Sequence, residues 1–477
     1  MNRLSAKLGT RLYTVSKTSP RILAIGMLLV LAQSFILLTP ALVNGFPFVF
    51  SDTGAYLESA LTQHVPYDRP VYYGIFAAML HWRISLWPVV IAQSLIVVRL
   101  VNLILSAIFG LDSWIWRFCL TALLATASGL PSFVGQITPD VFTSAMILAI
   151  ALCTMSWANL TLADRIFVLG VIIASVTFHN GNVLIAFAIV PSVIFVAMFG
   201  WRSPSWRGLV RMSCAVAIGV AALLASNIIA GRGITLSSGS SVILFAKLLE
   251  YGPALETLHD VCTRRPADFA VCRQRQALDE YANAPFDPTR PIVMDDFLWS
   301  GPLASLGGFE EFHAEAAILV RDALHRLRWK HAALAARQTL EQMRWFRAGD
   351  GLRHYRETVQ PSMAIRWIFG ESVFNQYNQS LQQTSALSFS GLNLLQYVSV
   401  SIAALVITIA FVFQSTATQN TKSLAVLVLT FLVMNAAVTG TLAGVSDRYQ
   451  SRVIWLLPFV AAALVLSTAK KRVNALS

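Results

Sequence analysis

Charge is what this chain has least of: 13% of its 477 residues are Asp, Glu, Lys or Arg, where soluble proteins carry about 25%. With 56% hydrophobic residues and a mean hydropathy of +0.62, that deficit excludes an ordinary soluble domain and defines a polytopic membrane protein. Its five cysteines show no zinc-site spacing. There is no Gly-rich phosphate loop, no Ser-His-Asp set, no internal repeat and no low-complexity tract. Nor does an aromatic and basic recognition module interrupt the apolar runs. The formal charge of +12 therefore reads as membrane topology and contact with anionic lipid, with no nucleic-acid partner.

What is present is a series of apolar runs: Ile22 to Val43, Pro88 to Phe109, Trp114 to Leu130, Val141 to Trp157, Ile166 to Phe178, Val183 to Phe199, Leu209 to Ala230, Leu392 to Phe413, Leu424 to Leu442 and Val453 to Leu466. They predict an all-α bundle of about ten spans, although several runs fall short of the roughly 20 residues of a straight crossing and leave room for a re-entrant pair. Arg3, Lys7, Arg11, Lys17 and Arg21 precede the first run, and Lys470, Lys471 and Arg472 follow the last. Short-loop Lys and Arg mark the cytoplasmic side, so both ends are expected there, together with Arg117, Arg165, Arg202, Arg207, Arg211 and Lys422. The first run is long and no small-residue cleavage site follows it, so it is expected to remain in the membrane.

The chain divides into residues 1–230, a membrane bundle of about seven spans carrying the first outer loop; 231–390, a polar and mainly helical periplasmic insertion; and 391–477, about three further spans. The insertion is loop-rich around Pro285, Pro288, Pro291, Pro302 and Gly307-Gly308. Its run from Phe309 to Phe346 sets Arg321, Arg326, Arg328, Lys330, Arg337 and Arg344 among Leu and Ala at helical spacing, either as a solvated basic face or as one laid on anionic headgroups. Cys262 and Cys272 both fall in this insertion and are expected to pair in an oxidising compartment, whereas Cys119, Cys153 and Cys214 lie in apolar runs as small hydrophobes.

The same threading brings Asp52, Asp140, His179 and Asp447 to the outer face. An ionised group beside hydrocarbon costs at least a few kcal/mol, so it is usually kept where it reacts, conducts or pairs. Asp52 sits in Phe50-Ser51-Asp52-Thr53-Gly54-Ala55-Tyr56-Leu57, with Glu58 just beyond, and the aromatic stretch Tyr67 to Phe76 contains Arg69. Asp140 opens the fourth run, either as an acid that orients Asp52 or a cation, or as a helix cap after Pro139. Arg99, inside the second run, is expected to pair with an acid or line a wet cavity. His179-Asn180-Gly181-Asn182 is either a tight turn or a point where helices stop at a polar cavity. His64 and His81 have no ligand-like spacing. Asp447 and Arg448 either neutralise each other or face a ligand.

In these motifs the sequence resembles the GT-C class of integral-membrane glycosyltransferases, which includes protein O-mannosyltransferases and lipid A aminoarabinose transferases. The class places an acid in the first outer loop, as Asp52 does, and often an Arg-Leu pair in its second span, as Arg99-Leu100 does. A Thr-Pro-Asp motif opens its fourth span, matched by Thr138-Pro139-Asp140. Late in the chain comes an Arg-Tyr pair before an apolar run with Pro, matched by Arg448-Tyr449 through Pro458. The matches cover both ends of the bundle and leave out the large loop. Many members carry a second acid directly after the first, but here Thr53 follows Asp52 and the next acid is Glu58.

The resemblance implies sugar transfer from a polyprenyl-phosphate donor to an envelope lipid, glycan or protein at the periplasmic face of a bacterial inner membrane. Asp52 would be the general base. Arg448, Arg69, Tyr449 and His179 would face the donor or its phosphate. Asp140, Glu58 and Arg99 would support them or hold a divalent metal cation, the one cofactor left open. Two alternatives stand beside this reading: a transporter or flippase of lipid-linked saccharide, and a polysaccharide polymerase or ligase built on paired arginines.

Overall fold

The computed structural model describes residues 20–62, 64–198, 205–282, 293–299, 301–412 and 419–476. Arg3, Lys7, Arg11, Lys17, Arg202, Pro285, Pro288 and Pro291 lie outside them. Among the described residues the chain is helical and has no strand, only an isolated parallel bridge between Phe48 and Gln136.

The apolar runs are helical, with breaks at Ser128-Gly129 and at Trp455, and with Phe199 and Phe413 outside the described residues. The first part comprises α1 (Pro20–Asn44), α2 (Thr53–Leu61), α3 (Tyr72–His81), α4 (Trp87–Ala107), α5 (Trp114–Ala127), α6 (Leu130–Val134), α7 (Asp140–Met155), α8 (Leu162–Phe178), α9 (Asn180–Met198) and α10 (Trp206–Ile229). Local signals set their starts: Thr161 accepts from the Asp164 amide at α8, and Ser205 from the Gly208 amide at α10. The middle part comprises α11 (Ser240–Tyr251), α12 (Pro253–Arg264), α13 (Arg275–Ala282), α14 (Val293–Trp299), α15 (Pro302–Ser305), α16 (Gly308–Leu324), α17 (Trp329–Arg344) and α18 (Ser362–Asn378). The last comprises α19 (Ser390–Val412), α20 (Gln419–Leu442), α21 (Asp447–Ile454) and α22 (Leu456–Leu476).

Among the described residues six helical segments are long and apolar enough to cross a membrane: Ala24–Asn44, Trp87–Ala107, Trp206–Ile229, Ser390–Val412, Asn420–Leu442 and Asp447–Lys470. The chain is thus a multi-pass membrane protein in composition and helix length. The α7 helix is hydrophobic all round and is buried from Asp140 through Thr154, which makes it the central pillar. It carries Asp140 at one end. At its other end Trp157 lies under the guanidiniums of Arg165 and Arg211, and Lys470 donates to the Gly110 carbonyl close to α4. Basic groups therefore collect about 24 Å from Asp140, one α7 length away at 1.5 Å per residue.

The stretch 231–390 does not form one body. Residues from Val242 to Ala323 close a separate hydrophobic core around Phe245, Phe297 and Phe312. Phe346, Ile365, Phe369, Phe374 and Tyr377 instead join the core of the membrane helices. The division follows where the apolar groups are buried: Leu258, Val261, Leu278, Phe312 and Leu319 face the smaller core, while α18 presents Ile365, Ile368, Phe369 and Phe374 to the bundle. Cys262 and Cys272 form a disulfide, with Cα atoms 5.3 Å apart, beside the smaller core.

Candidate functional site

Two loops fix the site. After α1, Gly45 takes a φ of +80°, open to glycine without penalty, and turns the chain toward the segment before α7. The Phe48 amide donates to Gly135 O at 2.8 Å, and the Ile137 amide to Phe48 O at 3.0 Å. Thr53 Oγ1 accepts from the Phe50 amide and donates to Ile137 O, both at 2.9 Å. From the other side Gln382 clamps Val49, accepting from its amide at 3.0 Å and donating to its carbonyl at 2.6 Å. With both backbones held, Asp52 and Asp140 open onto the same space.

Three arginines meet these two acids. Asp52 Oδ1 lies 3.2 Å from Arg69 Nη1, and Asp52 Oδ2 lies 3.5 Å from Arg448 Nη2. Arg448 Nε lies 3.4 Å from Asp140 Oδ2, so one guanidinium joins the two carboxylates. One helical turn on, Arg452 Nη1 donates to Asp140 Oδ1 at 2.7 Å and stands 3.4 Å from His179 Nε2. Arg69 also holds Asp68 at 2.6 Å. The cluster is graded in depth: Arg452 and Asp140 are sealed, whereas the Asp52 side chain keeps 27% of its exposure.

That gradient decides what each group can do. A sealed carboxylate with both oxygens on guanidiniums and on Thr138 Oγ1 is a fixed anchor. Asp52 can be reached from solvent. Burial pushes its carboxyl up, but Arg69 and then Arg448 outweigh burial and hold it below the usual 3.8. It is ionised at neutral pH, and its basicity is held down for as long as both guanidiniums stay on it. Burial works against the Arg69 charge, but Asp52 and Asp68 more than restore it, so Arg69 stays protonated. Burial pushes the neighbouring Tyr56 phenol up, which leaves it neutral under the Arg69 guanidinium, 5.3 Å from its ring centre.

Most of the residues singled out in the sequence meet here. Asp52, Asp140, Arg69, Arg448 and His179 are in contact, and the Tyr449 ring lies 5.4 Å from the Arg448 and 5.3 Å from the Arg452 guanidinium carbon. Glu58 stands at the rim and accepts from Gln360 Nε2 at 2.6 Å. Arg99 is not part of the cluster. It pairs with Asp164 at the start of α8, toward the opposite end of α7, because α7 and α8 pack antiparallel. Asp140 is not a cap: α7 makes no side-chain cap bond, since both of its carboxylate oxygens are turned to the arginines and Thr138. Asp447 does not neutralise Arg448; its carboxylate takes the Arg347 amide at 2.7 Å and Arg347 Nε at 2.9 Å. His179 is the one non-helical residue between α8 and α9, a tight turn. Asn182 pins it by donating to Ser175 O and accepting from Thr143 Oγ1.

Sequence reading missed Arg452, Asp68, Asp350 and Gln382. Arg452 had a signal: a second arginine one turn after Arg448, with an apolar run following, cannot face lipid and needs a buried acid. Asp350 had none, because it accepts from Ser446 Oγ and the Arg448 amide across a segment whose path no local pattern encodes.

The cluster does not suit a divalent cation as it stands. The oxygens of Asp52 and Asp140 are all taken by guanidiniums or Thr138, and a cation there would sit among three positive charges. Among the described residues no group of three or more His, Cys, Asp or Glu side chains is placed to hold a metal ion. Comparison with family models, with curated proteins and with solved structures finds no match.

Proposed function

We propose that the chain is a GT-C-type glycosyltransferase that moves a sugar from a polyprenyl-phosphate donor to an envelope lipid, glycan or protein. In this reading about ten spans cross a bacterial inner membrane, the unit around Phe245 is periplasmic, and the acid–arginine cluster opens to the periplasm. The observation that carries it is the contact of Asp52 with Arg448 and Arg69: a solvent-reachable carboxylate touching two guanidiniums, one of them at the start of a candidate membrane span.

The acceptor hydroxyl attacks the anomeric carbon, the bond from that carbon to the phosphate oxygen breaks, and the lipid phosphate leaves with the bonding pair. Asp52 takes the hydroxyl proton. Arg448 and Arg69 meet the charge growing on the phosphate. Resting and working states differ in who holds the guanidiniums. A donor phosphate competes with Asp52 for them, and as it draws them away the carboxylate loses the charges that depress its basicity. Donor binding thereby prepares the base, while Arg452 keeps Asp140 in place behind Arg448.

A second reading starts from the same opening. Arg69 and Arg448 both reach Asp52, a paired-arginine centre that also suits a diphosphate leaving group, as in a polysaccharide polymerase or ligase. Purified protein offered a single-sugar polyprenyl phosphate and, separately, a diphosphate-linked repeat unit decides between them. Turnover of the first alone supports the transferase; turnover of the second alone replaces it. Mass spectrometry of envelope glycans and lipids from cells with and without the gene product then names sugar and acceptor from the missing mass.

A further inference from the structure

The α17 helix has two faces of opposite use. His331, Gln338 and Gln342 are buried, and this face makes one of the most extensive helix contacts in the molecule, against the membrane-length α20. The approach is close: a Cβ on Gly440 would stand 2.8 Å from Gln338 O. The opposite face is uncovered. Trp329, Ala333, Ala336 and Leu340 follow one another at intervals of four, three and four, which aligns them in one stripe; Trp329 is 91% and Leu340 58% exposed. Lys330, Arg337 and Arg344, seven residues apart, form a row along one edge of that stripe. The acids facing these bases are fewer. Glu256 of α12 takes Arg328 and Lys330, and Glu341 takes Arg337, so two acids meet four bases once Arg344 is included.

An apolar stripe with a tryptophan at one end and a basic edge is the composition of a helix lying in the headgroup boundary. Because α17 meets α20 at Gly440, two residues from its end, and Gln342 holds Ser446 just beyond that end, its outward face stands at the level where α20 leaves the bilayer. We infer that the outward face of α17 is seated in the headgroup–acyl boundary of an anionic bilayer, with its stripe on the acyl side and its basic row on lipid phosphates. This inference needs the membrane helices but does not depend on any enzymatic activity.

The test is site-directed spin labelling in nanodiscs. Cys119, Cys153 and Cys214 are replaced by Ser, the disulfide is kept, and Ala333→Cys, Ala336→Cys and Leu340→Cys are labelled one at a time. These positions are exposed, so the labels leave the core untouched. Power saturation is measured with oxygen and with a water-soluble nickel chelate, in phosphatidylcholine and in phosphatidylglycerol discs. The expected result is oxygen accessibility several-fold above nickel at all three positions, with greater depth in phosphatidylglycerol. Nickel-dominated accessibility overturns the inference in favour of a solvated face. Exclusion of both reagents overturns it in favour of a protein partner or a second copy of the chain, and equal depth in the two lipids overturns the preference for anionic headgroups.

Discussion

The guanidinium of Arg448 reaches the carboxylate of Asp52 across 396 residues of chain, at 3.5 Å. That contact joins the loop after α1 to the start of the last membrane-length helical segment, so the site exists only once the bundle has closed. Phe50 completes the seat: the Arg448 guanidinium carbon lies 4.0 Å from its ring centre, so the loop bearing the acid also carries the surface on which the cation rests.

Asp52→Asn is expected to leave the protein folded and to reduce sugar transfer by at least about 100-fold, the lower range for loss of a positioned general base. Folding survives because Arg69 keeps Asp68 and Arg448 keeps Asp140. Gel filtration in detergent alongside a transfer assay separates the two effects; full transfer by the folded variant rejects Asp52 as the base.

Asp140→Asn should behave in the opposite way. Arg452 is sealed from solvent and would lose its partner, which costs about 3–5 kcal/mol for a broken buried pair. A clear fall in melting temperature is expected, partly recovered in the double variant Asp140→Asn with Arg452→Gln. Equal melting of Asp140→Asn and the unmodified protein would show that Asp140 is not an anchor.

The apolar runs were legible as helices because a helix is encoded in a continuous stretch of residue types, but among the described residues six rather than ten are long and apolar enough to cross a membrane. Asp52, Asp140 and Arg448 were legible as charges in places where charge is expensive. Contacts between distant segments were not. Arg99 shared the same signal, yet it pairs with Asp164 on the far side of α7, because residue type says that a partner exists without saying where. The unity of 231–390 was read from polarity, which cannot distinguish a segment that packs on itself from one, such as α18, that returns to the bundle.

Asp295 on α14 makes stability depend on pH. Burial, then the charges of Glu250 and Asp296, push its carboxyl up to about 6 against the pull of Lys247. Between its ordinary value of 3.8 and about 6 the folded chain holds a proton that the unfolded chain has lost. This contribution therefore favours the fold at low pH and is lost as pH rises through that window. Asp52 has the opposite sign, its contribution being lost as pH falls below 3.8. Asp295→Asn is expected to raise the melting temperature at pH 7.5 by more than at pH 5. Equal gains at the two values would remove Asp295 as the source.

Reducing the Cys262–Cys272 bridge should weaken the smaller core without disturbing the bundle. The bridge closes a loop of sequence separation 10, for which chain entropy gives a contribution of about 2–3 kcal/mol. Cys262→Ser with Cys272→Ser is expected to increase proteolysis between Ser240 and Leu324 while helices α1 to α10 stay protected. Peptide mapping after limited digestion reads the difference, and unchanged cleavage there would assign the bridge no role in holding this unit.

Asp350 tests whether the arginine is aimed from outside its own helix. Ser446 precedes α21 but makes no cap bond of its own; Asp350 supplies one instead, accepting from Ser446 Oγ at 2.7 Å and from the Arg448 amide at 3.1 Å. Asp447 answers by holding Arg347 three residues before Asp350, so the segment and the helix start grip each other at two points. Asp350→Ala removes one grip. The stability cost is that of a lost cap, about 1 kcal/mol, because Arg452, Val453 and Ile454 of α21 remain buried. Transfer should suffer more than stability, since the Arg448 backbone is then free to shift and its guanidinium to leave the line between Asp52 and Asp140. A raised KM for the lipid-phosphate donor with a nearly unchanged melting curve is the expected pattern. If donor KM and melting temperature both stay at the unmodified values, Arg448 is positioned by its own packing and the Asp350 contact is incidental.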